Sequence, residues 1–216
     1  MRALTSIPLI ALLSVAWPLS ASDHKAPALK PASHFANCER QDAEKISIAA
    51  EPYETEEKLK LFRVNYMEYG FLPVRLIVTN DSEKTLSLDD ARIVLVTADG
   101  MRVAAADPED IDRRTTQIGQ TGETIPLPFP LPPIRRKPKT KDPKIEADFK
   151  DFEYTAAMVA PHSSAAGFLF YDVKGVKEPL VGAHLVLRKL AWSPSGDALY
   201  DFDLSFDKYL AAKGKK

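Results

Sequence analysis

The chain has 216 residues, with 29 lysines and arginines against 30 aspartates and glutamates, and a single cysteine. This length favours one domain of ordinary size over two large ones. The net charge of −1 gives no support for nucleic-acid binding, which usually shows as a basic excess. A lone cysteine excludes an intramolecular disulfide, so the core alone must stabilise the fold.

Residues 1–22 have the pattern of a secretory signal peptide. Arg2 supplies the positive start, residues 7–17 are apolar, and Ser20-Ala21-Ser22 is a small-residue cleavage site. The apolar stretch is too short to span a bilayer, and no later one approaches the ~20 residues that a membrane helix needs. We therefore predict an exported protein, periplasmic or extracellular, with no stable membrane insertion after processing.

Residues 23–43 are rich in alanine, proline, lysine and serine and lack apolar periodicity, which indicates a mobile N-terminal arm. Cys38 lies in this arm and is expected to be a free or partly exposed thiol. A β domain is predicted over residues 44–210, with order beginning near Ile46. A basic tail at residues 211–216 follows it.

The first part of the domain contains short β patterns. Residues 46–50 and 58–61 alternate apolar and polar side chains, as half-buried strands do. Residues 71–79 are more continuously apolar, which is typical of a central strand. Pro73 is expected at the start of that strand, where a missing N–H costs least.

A hairpin and two short helices are predicted next. Asp99-Gly100 separates the apolar runs 91–98 and 101–103, and this dipeptide is a strong hairpin signal. Residues 107–110 (Asp-Pro-Glu-Asp) favour the start of a helix of one to two turns, because Asp caps the helix and Pro fits its first position. A second short helix is predicted over residues 145–152.

The strand pattern resumes at residues 166–173, 182–190 and 199–207. In the last of these, one predicted face is apolar and consists of Tyr200, Phe202, Leu204 and Phe206. Seven to nine short strands with turns between them predict an all-β fold, an immunoglobulin-like antiparallel β-sandwich with short helical pieces and a long proline-rich loop.

Four stretches carry a family resemblance: Leu72-Pro73-Val74 to Asn80, Val159-Ala160-Pro161, Gly167 to Val173, and Gly182-Ala183-His184-Leu185. Together they resemble a group of secreted bacterial proteins with an immunoglobulin-like domain and no known activity. The resemblance covers about half the chain. It implies a β-sandwich in an extracytoplasmic setting and carries over no catalytic residue.

Residues 115–144 form a proline-rich, basic insertion that is predicted to be a long extended loop. Such a preformed segment could dock on a partner at low ordering cost. The candidate partner-contact residues within it are Leu127, Phe129, Leu131, Arg135 and Arg136. The alternative is that the loop packs across its own sandwich and covers a sheet edge.

No catalytic, metal-binding or cofactor-binding residue is predicted. Oxygen side chains alternate through Asp201, Asp203, Ser205 and Asp207, as in a calcium loop, but large aromatics lie between them and a solvated strand face explains them better. The scattered histidines are His24, His34, His162 and His184. A nucleophile pair of Cys38 and His34 would need a rigid pocket that the arm does not offer.

The sequence therefore predicts an exported, non-enzymatic binding or assembly module without a cofactor. Its expected partner is another envelope protein or a second copy of the chain, with no role for nucleic acid. One alternative is a domain that binds a carbohydrate or other envelope component, which needs an exposed aromatic residue; Trp192 is the tryptophan left after signal removal. The other alternative is a divergent hydrolase.

Overall fold

A computed structural model describes residues 24–119 and 141–214. The strands in these ranges are β1 (Cys38–Gln41), β2 (Ile46–Pro52), β3 (Phe71–Asn80), β4 (Thr85–Ser87), β5 (Arg92–Val96), β6 (Arg102–Ala104), β7 (Met158–Val159), β8 (Ser163–Asp172), β9 (His184–Arg188), β10 (Ala191–Ser193) and β11 (Phe202–Ser205). The helices are α1 (Glu56–Leu59), α2 (Pro108–Gly119), α3 (Pro143–Phe152) and α4 (Asp207–Lys213), with 3₁₀ turns at Ala32–His34 and Tyr66–Tyr69.

Two four-stranded antiparallel sheets form a β-sandwich. The first sheet has the order β1-β2-β3-β8 and the second sheet the order β11-β9-β5-β6. Alternate side chains of both sheets share one sandwich core, whose members include Ile48, Val74, Leu95, Leu187 and Phe202. A small three-stranded sheet, β10-β4-β7, packs against the same core through Leu86 and Val159. The prediction of an all-β sandwich is confirmed.

The outer face of the first sheet is covered by helices. The 3₁₀ turn at Tyr66–Tyr69 together with α1, α2 and α3, here called the helical layer, packs its apolar side chains onto β3 and β8. Rings dominate this second, aromatic core: Phe149 stacks on Phe170 with centroids 4.6 Å apart, and Phe62 meets Phe168 edge-on at 5.0 Å. The first sheet is therefore buried on both faces, and β3 is buried at all ten positions.

The N-terminal residues cover the rest of that face, contrary to the predicted mobile arm. Strand β1 pairs with β2 along its whole length, and Ala32 is fully buried against Ala49 and Ile77. The buried guanidinium of Arg75 donates to the main-chain oxygens of residues 27 and 28, at 2.9 and 3.0 Å. These contacts use main-chain atoms and small side chains, so apolar periodicity does not reveal them.

Gly167 of β8 lies where the chain leaving α3 crosses the first sheet. The amide of Tyr154 donates to the carbonyl oxygen of Phe168 at 3.0 Å. A Cβ atom on Gly167 would lie 2.6 Å from the nitrogen of Tyr154, which is closer than real contacts allow. Glycine is required here because the two main chains approach so closely.

Several predicted elements are confirmed. The hairpin is formed by β5 and β6, and Gly100 in its turn has a φ of 82°. The predicted strand over residues 71–79 is β3, and the helix over residues 145–152 is α3. Pro73 is the third residue of β3, next to the end of the ladder with β2, and its missing N–H disturbs little there.

Other elements differ from the prediction. Residues 58–61 are not a strand: α1 and a turn occupy them, and Leu59 is buried. Helix α2 has twelve residues and extends to Gly119, well into the predicted loop. Strand β11 has four residues, Tyr200 before it is 78% exposed, and α4 occupies part of the predicted tail.

The predicted signal peptide and most of the proline-rich insertion lie outside the described residues. None of the helices within residues 24–119 and 141–214 is long and apolar enough to cross a membrane.

Candidate binding site

The five candidate contact residues of the insertion, Leu127, Phe129, Leu131, Arg135 and Arg136, lie outside the described residues. The residues on either side of them are described. The ammonium of Lys141 is 3.1 Å from the carboxylate of Glu109, and the amide of Asp142 donates to Asp112 at 3.0 Å. The segment between 119 and 141 therefore starts at the end of α2 and ends beside the first turns of the same helix.

An open cleft of about 520 Å³ lies beside α2, between that helix and the edge of the sandwich. It is lined by Phe71, Ala104, Ala105, Ala106, Asp110, Arg113, Arg114 and Asp172. Strand β8 and the residues after β6 meet at this place, where the amide of Ala106 donates to the oxygen of Phe170 at 2.7 Å. We call it the α2 cleft.

A fixed ion pair lies in the α2 cleft. The guanidinium of Arg114 binds both carboxylate oxygens of Asp172, with Nη1 to Oδ1 at 2.6 Å, and lies over the ring of Phe71 at 4.5 Å. The hydrogen bonds from Arg114 hold the pKa of Asp172 below its ordinary value, although partial burial opposes them. Two-point binding and ring stacking together fix the orientation of Arg114.

The neighbouring arginine is more accessible. The side chain of Arg113 is 67% exposed, and its Nη1 is 3.3 Å from Asp110 on the previous turn of α2. An exposed pair of this kind contributes little to stability, so its side chains can turn to an incoming group at small cost. The α2 cleft thus combines a rigid floor with an adaptable polar rim.

A buried carboxylate in the helical layer, that of Asp148, holds parts of the fold together and does not line the α2 cleft. Asp148 is fully buried and accepts hydrogen bonds from the amide of Arg63 at 3.0 Å, its guanidinium at 2.9 Å and the hydroxyl of Tyr66 at 3.1 Å. Burial raises the pKa of Asp148, and the hydrogen bonds from Arg63 oppose that rise. These donors join the loop after α1 to α3.

The acidic side chains near β11 pair with the neighbouring strand β9. Asp201 is 3.1 Å from Arg188, and Asp203 is 2.6 Å from His184. His184 is partly exposed, as predicted from its strand position. Within the part of the chain that the structure describes, no three His, Cys, Asp or Glu side chains are grouped so that they could hold a metal ion.

Cys38 is half-buried in β1 rather than in a free arm. Burial, and then the charge of Glu39, raises the pKa of its thiol. A raised pKa disfavours the thiolate, which is the nucleophilic form of cysteine. Ser163 and Ser164 are in β8, where their hydroxyls bond to Ala160 and Thr79.

Sequence reasoning missed the α2 cleft because its lining residues come from β3, β6, α2 and β8, which are far apart in the chain. The spacing of Asp110 and Arg113 was a usable signal, since side chains three residues apart face each other on a helix. Comparison of the chain with protein-family models, with curated proteins and with solved structures finds no match. Arguments about function therefore start from the residues of this chain.

Proposed function

We propose that the protein is an exported, non-enzymatic binding or assembly module built on an immunoglobulin-like β-sandwich. It contacts another envelope protein, or a second copy of itself, through the proline-rich segment and the α2 cleft at its base. Export is supported by the signal pattern of residues 1–22. The immunoglobulin-like assignment is supported by two packed antiparallel sheets of short strands.

The observation that supports this proposal is that both ends of the segment are held at α2. The segment begins directly after α2, which Arg114 fixes to Asp172 of β8. The residues that follow the segment, Lys141 and Asp142, contact Glu109 and Asp112 of the same helix. A segment whose ends are already positioned has less freedom left to lose when it binds. Its prolines restrict it further, so apolar side chains within it can be presented at low entropic cost.

The α2 cleft supplies a second part of the proposed contact. The alanines at 104–106 provide accessible apolar surface, and Arg113 provides an exposed cation at the rim. Arginine at the rim of an apolar patch is typical of protein interfaces. A partner held by the segment would therefore meet a complementary surface at its base.

Capture from a native envelope extract tests the proposal. Replacing Leu127, Phe129 and Leu131 together with serine removes the apolar side chains and leaves the prolines in place. We expect this variant to lose the partner that the unaltered protein captures, as identified by mass spectrometry. Purified partner should then bind the unaltered protein directly in a titration.

A matched control removes exposed apolar area elsewhere. Leu29, Met101 and Val181 are 54%, 46% and 48% exposed, and their replacement with serine should leave capture unchanged. Equal capture by the unaltered protein and by the variant in the segment would contradict the proposed contact.

One observation favours the alternative of a carbohydrate-binding or envelope-component-binding domain. Tyr200 is 78% exposed, whereas Trp192 is half-buried with the ammonium of Lys84 5.7 Å from its ring centroid. Titration of Tyr200→Ala and the unaltered protein with a glycan panel, followed by tryptophan fluorescence, tests this alternative. The divergent hydrolase is tested by a substrate panel.

A further inference from the structure

A second groove, of about 620 Å³, shares no lining residue with the α2 cleft and lies where the N-terminal 3₁₀ turn, α1 and α4 come together. Its size is within the range of small-ligand sites. Residues that line it include Phe35, Asn37, Glu51, Lys58, Tyr209 and Lys213. We call it the Asn37 groove.

The side chain of Asn37 is the unusual feature of this groove. Asn37 is 2% exposed, and within residues 24–119 and 141–214 its amide nitrogen has no hydrogen-bond partner. Its main-chain oxygen accepts from the amide of Ala50 at 3.1 Å, so the residue is held in position from the sheet side. Buried polar groups are nearly always paired, so this donor is left with a hydrogen bond that a bound ligand could accept.

The charges around the groove cancel in pairs. Lys58 is 3.0 Å from Glu51, and Lys213 is 2.8 Å from Glu54. Lys30 and Glu57, one of each sign, also line it and are exposed. A groove with many donors and acceptors but balanced charge suits an uncharged ligand that can both donate and accept hydrogen bonds.

The walls of the groove add apolar surface. The half-buried rings of Phe35 and Tyr209 and the small side chains of Ala36 and Ala212 line it. Burial, and then the charge of Glu54, raises the pKa of Tyr209 to about 12, so its phenol is neutral near pH 7 with a wider margin than an exposed tyrosine has. Sugars have this combination of properties, because their ring C–H faces are apolar and their hydroxyl groups are donors and acceptors.

We propose that the Asn37 groove binds an uncharged saccharide, one oxygen of which accepts a hydrogen bond from the amide of Asn37. This site gives the ligand-binding alternative a location, and it does not depend on the proline-rich segment. Loss of protein capture and loss of saccharide binding are therefore separate outcomes, which different variants produce.

Nuclear magnetic resonance of the purified, ¹⁵N-labelled protein tests the site. Neutral oligosaccharides of glucose, galactose and N-acetylglucosamine are titrated to millimolar concentration, with oligogalacturonate as the charged comparison. At least one neutral saccharide should shift the side-chain amide signals of Asn37. The same saccharide should bind Asn37→Asp at least tenfold more weakly.

A second variant keeps the test decisive if Asn37→Asp does not fold. Ala36 is exposed at the groove, so Ala36→Trp should block the groove and abolish the shift while leaving the fold intact. Ala43→Trp, in the exposed turn at the far end of β1, is the matched control and should bind as the unaltered protein does.

Two results would overturn the proposal. One is the absence of any shift of the Asn37 amide with the whole neutral panel. The other is binding of oligogalacturonate alone, because it would contradict the argument from balanced charge.

Discussion

The two four-stranded sheets of the sandwich differ in what covers their outer faces. Strand β3 of the first sheet is buried at every position, because the helical layer and the N-terminal residues lie on its outer side. In β5 of the second sheet, Leu95 is buried while Val94 and Val96 remain partly exposed on the outer side. A strand that is covered twice is continuously apolar, and one that is covered once alternates.

The polar residues of β3 show that a strand covered on both faces needs hydrogen-bond partners within the protein. Arg75 donates to main-chain oxygens of the N-terminal segment, and Thr79 accepts from the amide of Ala32 at 2.9 Å and shares a hydrogen bond of 2.7 Å with Ser164. Each of these groups has exchanged water for a partner in the covering layer. The outer layer is therefore specified by polar contacts as well as by apolar ones.

The largest expected effect is on the aromatic core. Phe170→Ala should lower the free energy of unfolding by about 3–5 kcal/mol, because it leaves a cavity under the helical layer. Val94→Ala on the outer face of the second sheet should cost less than about 1 kcal/mol. Urea unfolding measures both, and equal losses would contradict the difference between the two sheets.

A second, slightly smaller effect concerns the buried carboxylate. Asp148→Ala removes the acceptor of Arg63 and Tyr66, and we expect a loss of about 3 kcal/mol in the same measurement. Asp151, which also binds Arg63, is 37% exposed, so Asp151→Ala should cost less than about 1 kcal/mol. A larger loss with Asp151→Ala would show that Asp148 does not hold the helical layer.

The N-terminal residues that lie on the first sheet can be loosened by a substitution outside the helical layer. Arg75→Met should lower the free energy of unfolding by about 1–3 kcal/mol, because two main-chain oxygens lose their donor. Limited trypsin digestion followed by mass spectrometry should show faster cleavage after Lys25, which precedes the residues that Arg75 holds. Arg92→Met on the exposed side of β5 is the control, and identical digestion of the two variants would count against the docking role of Arg75.

The smallest expected effect is the pH dependence of the α2 cleft. Because Arg114 lowers the pKa of Asp172 in the folded state, this pair stabilises the protein above the pKa of the unfolded carboxyl group and stops doing so as pH falls. Melting temperature should therefore fall less between pH 7 and about pH 3 in Arg114→Gln than in the unaltered protein. The effect is modest since the Asp172 side chain is 39% exposed.

Arg113→Gln provides the comparison for this pair. Arg113 is largely exposed, so its removal should leave the acid sensitivity unchanged. If Arg113→Gln and Arg114→Gln behave alike, the fixed pair in the α2 cleft is not the source of the pH dependence.

The strands of the sandwich could be predicted from the sequence where a pattern was long or a turn was specific. The ten-residue β3 and the Asp-Gly hairpin are of this kind. Strand β11 was predicted too long because Tyr200 continues the alternation of Phe202, Leu204 and Phe206, although it lies outside the core. Alternation alone does not show where a strand leaves the sheet.

The helical layer was only partly predictable. Leu59 and Leu61 mimic a strand over four residues, but the buried residues Leu59, Phe62 and Tyr66 follow the helical spacing of three and four. Strand β1 has no such signal, because its place depends on backbone pairing with β2. The residues that line the α2 cleft and the Asn37 groove are far apart in the sequence. Local sequence patterns do not predict contacts between such distant residues.

The close crossing at Gly167 has a consequence for how the domain unfolds. The main chain after α3 touches β8 with no side chain between them, so the helical layer cannot lift away without breaking a hydrogen bond at the edge of the sandwich. Both hydrophobic cores share β3 and β8. Heating should therefore give one cooperative transition for helices and strands alike, in place of an early loss of the helices.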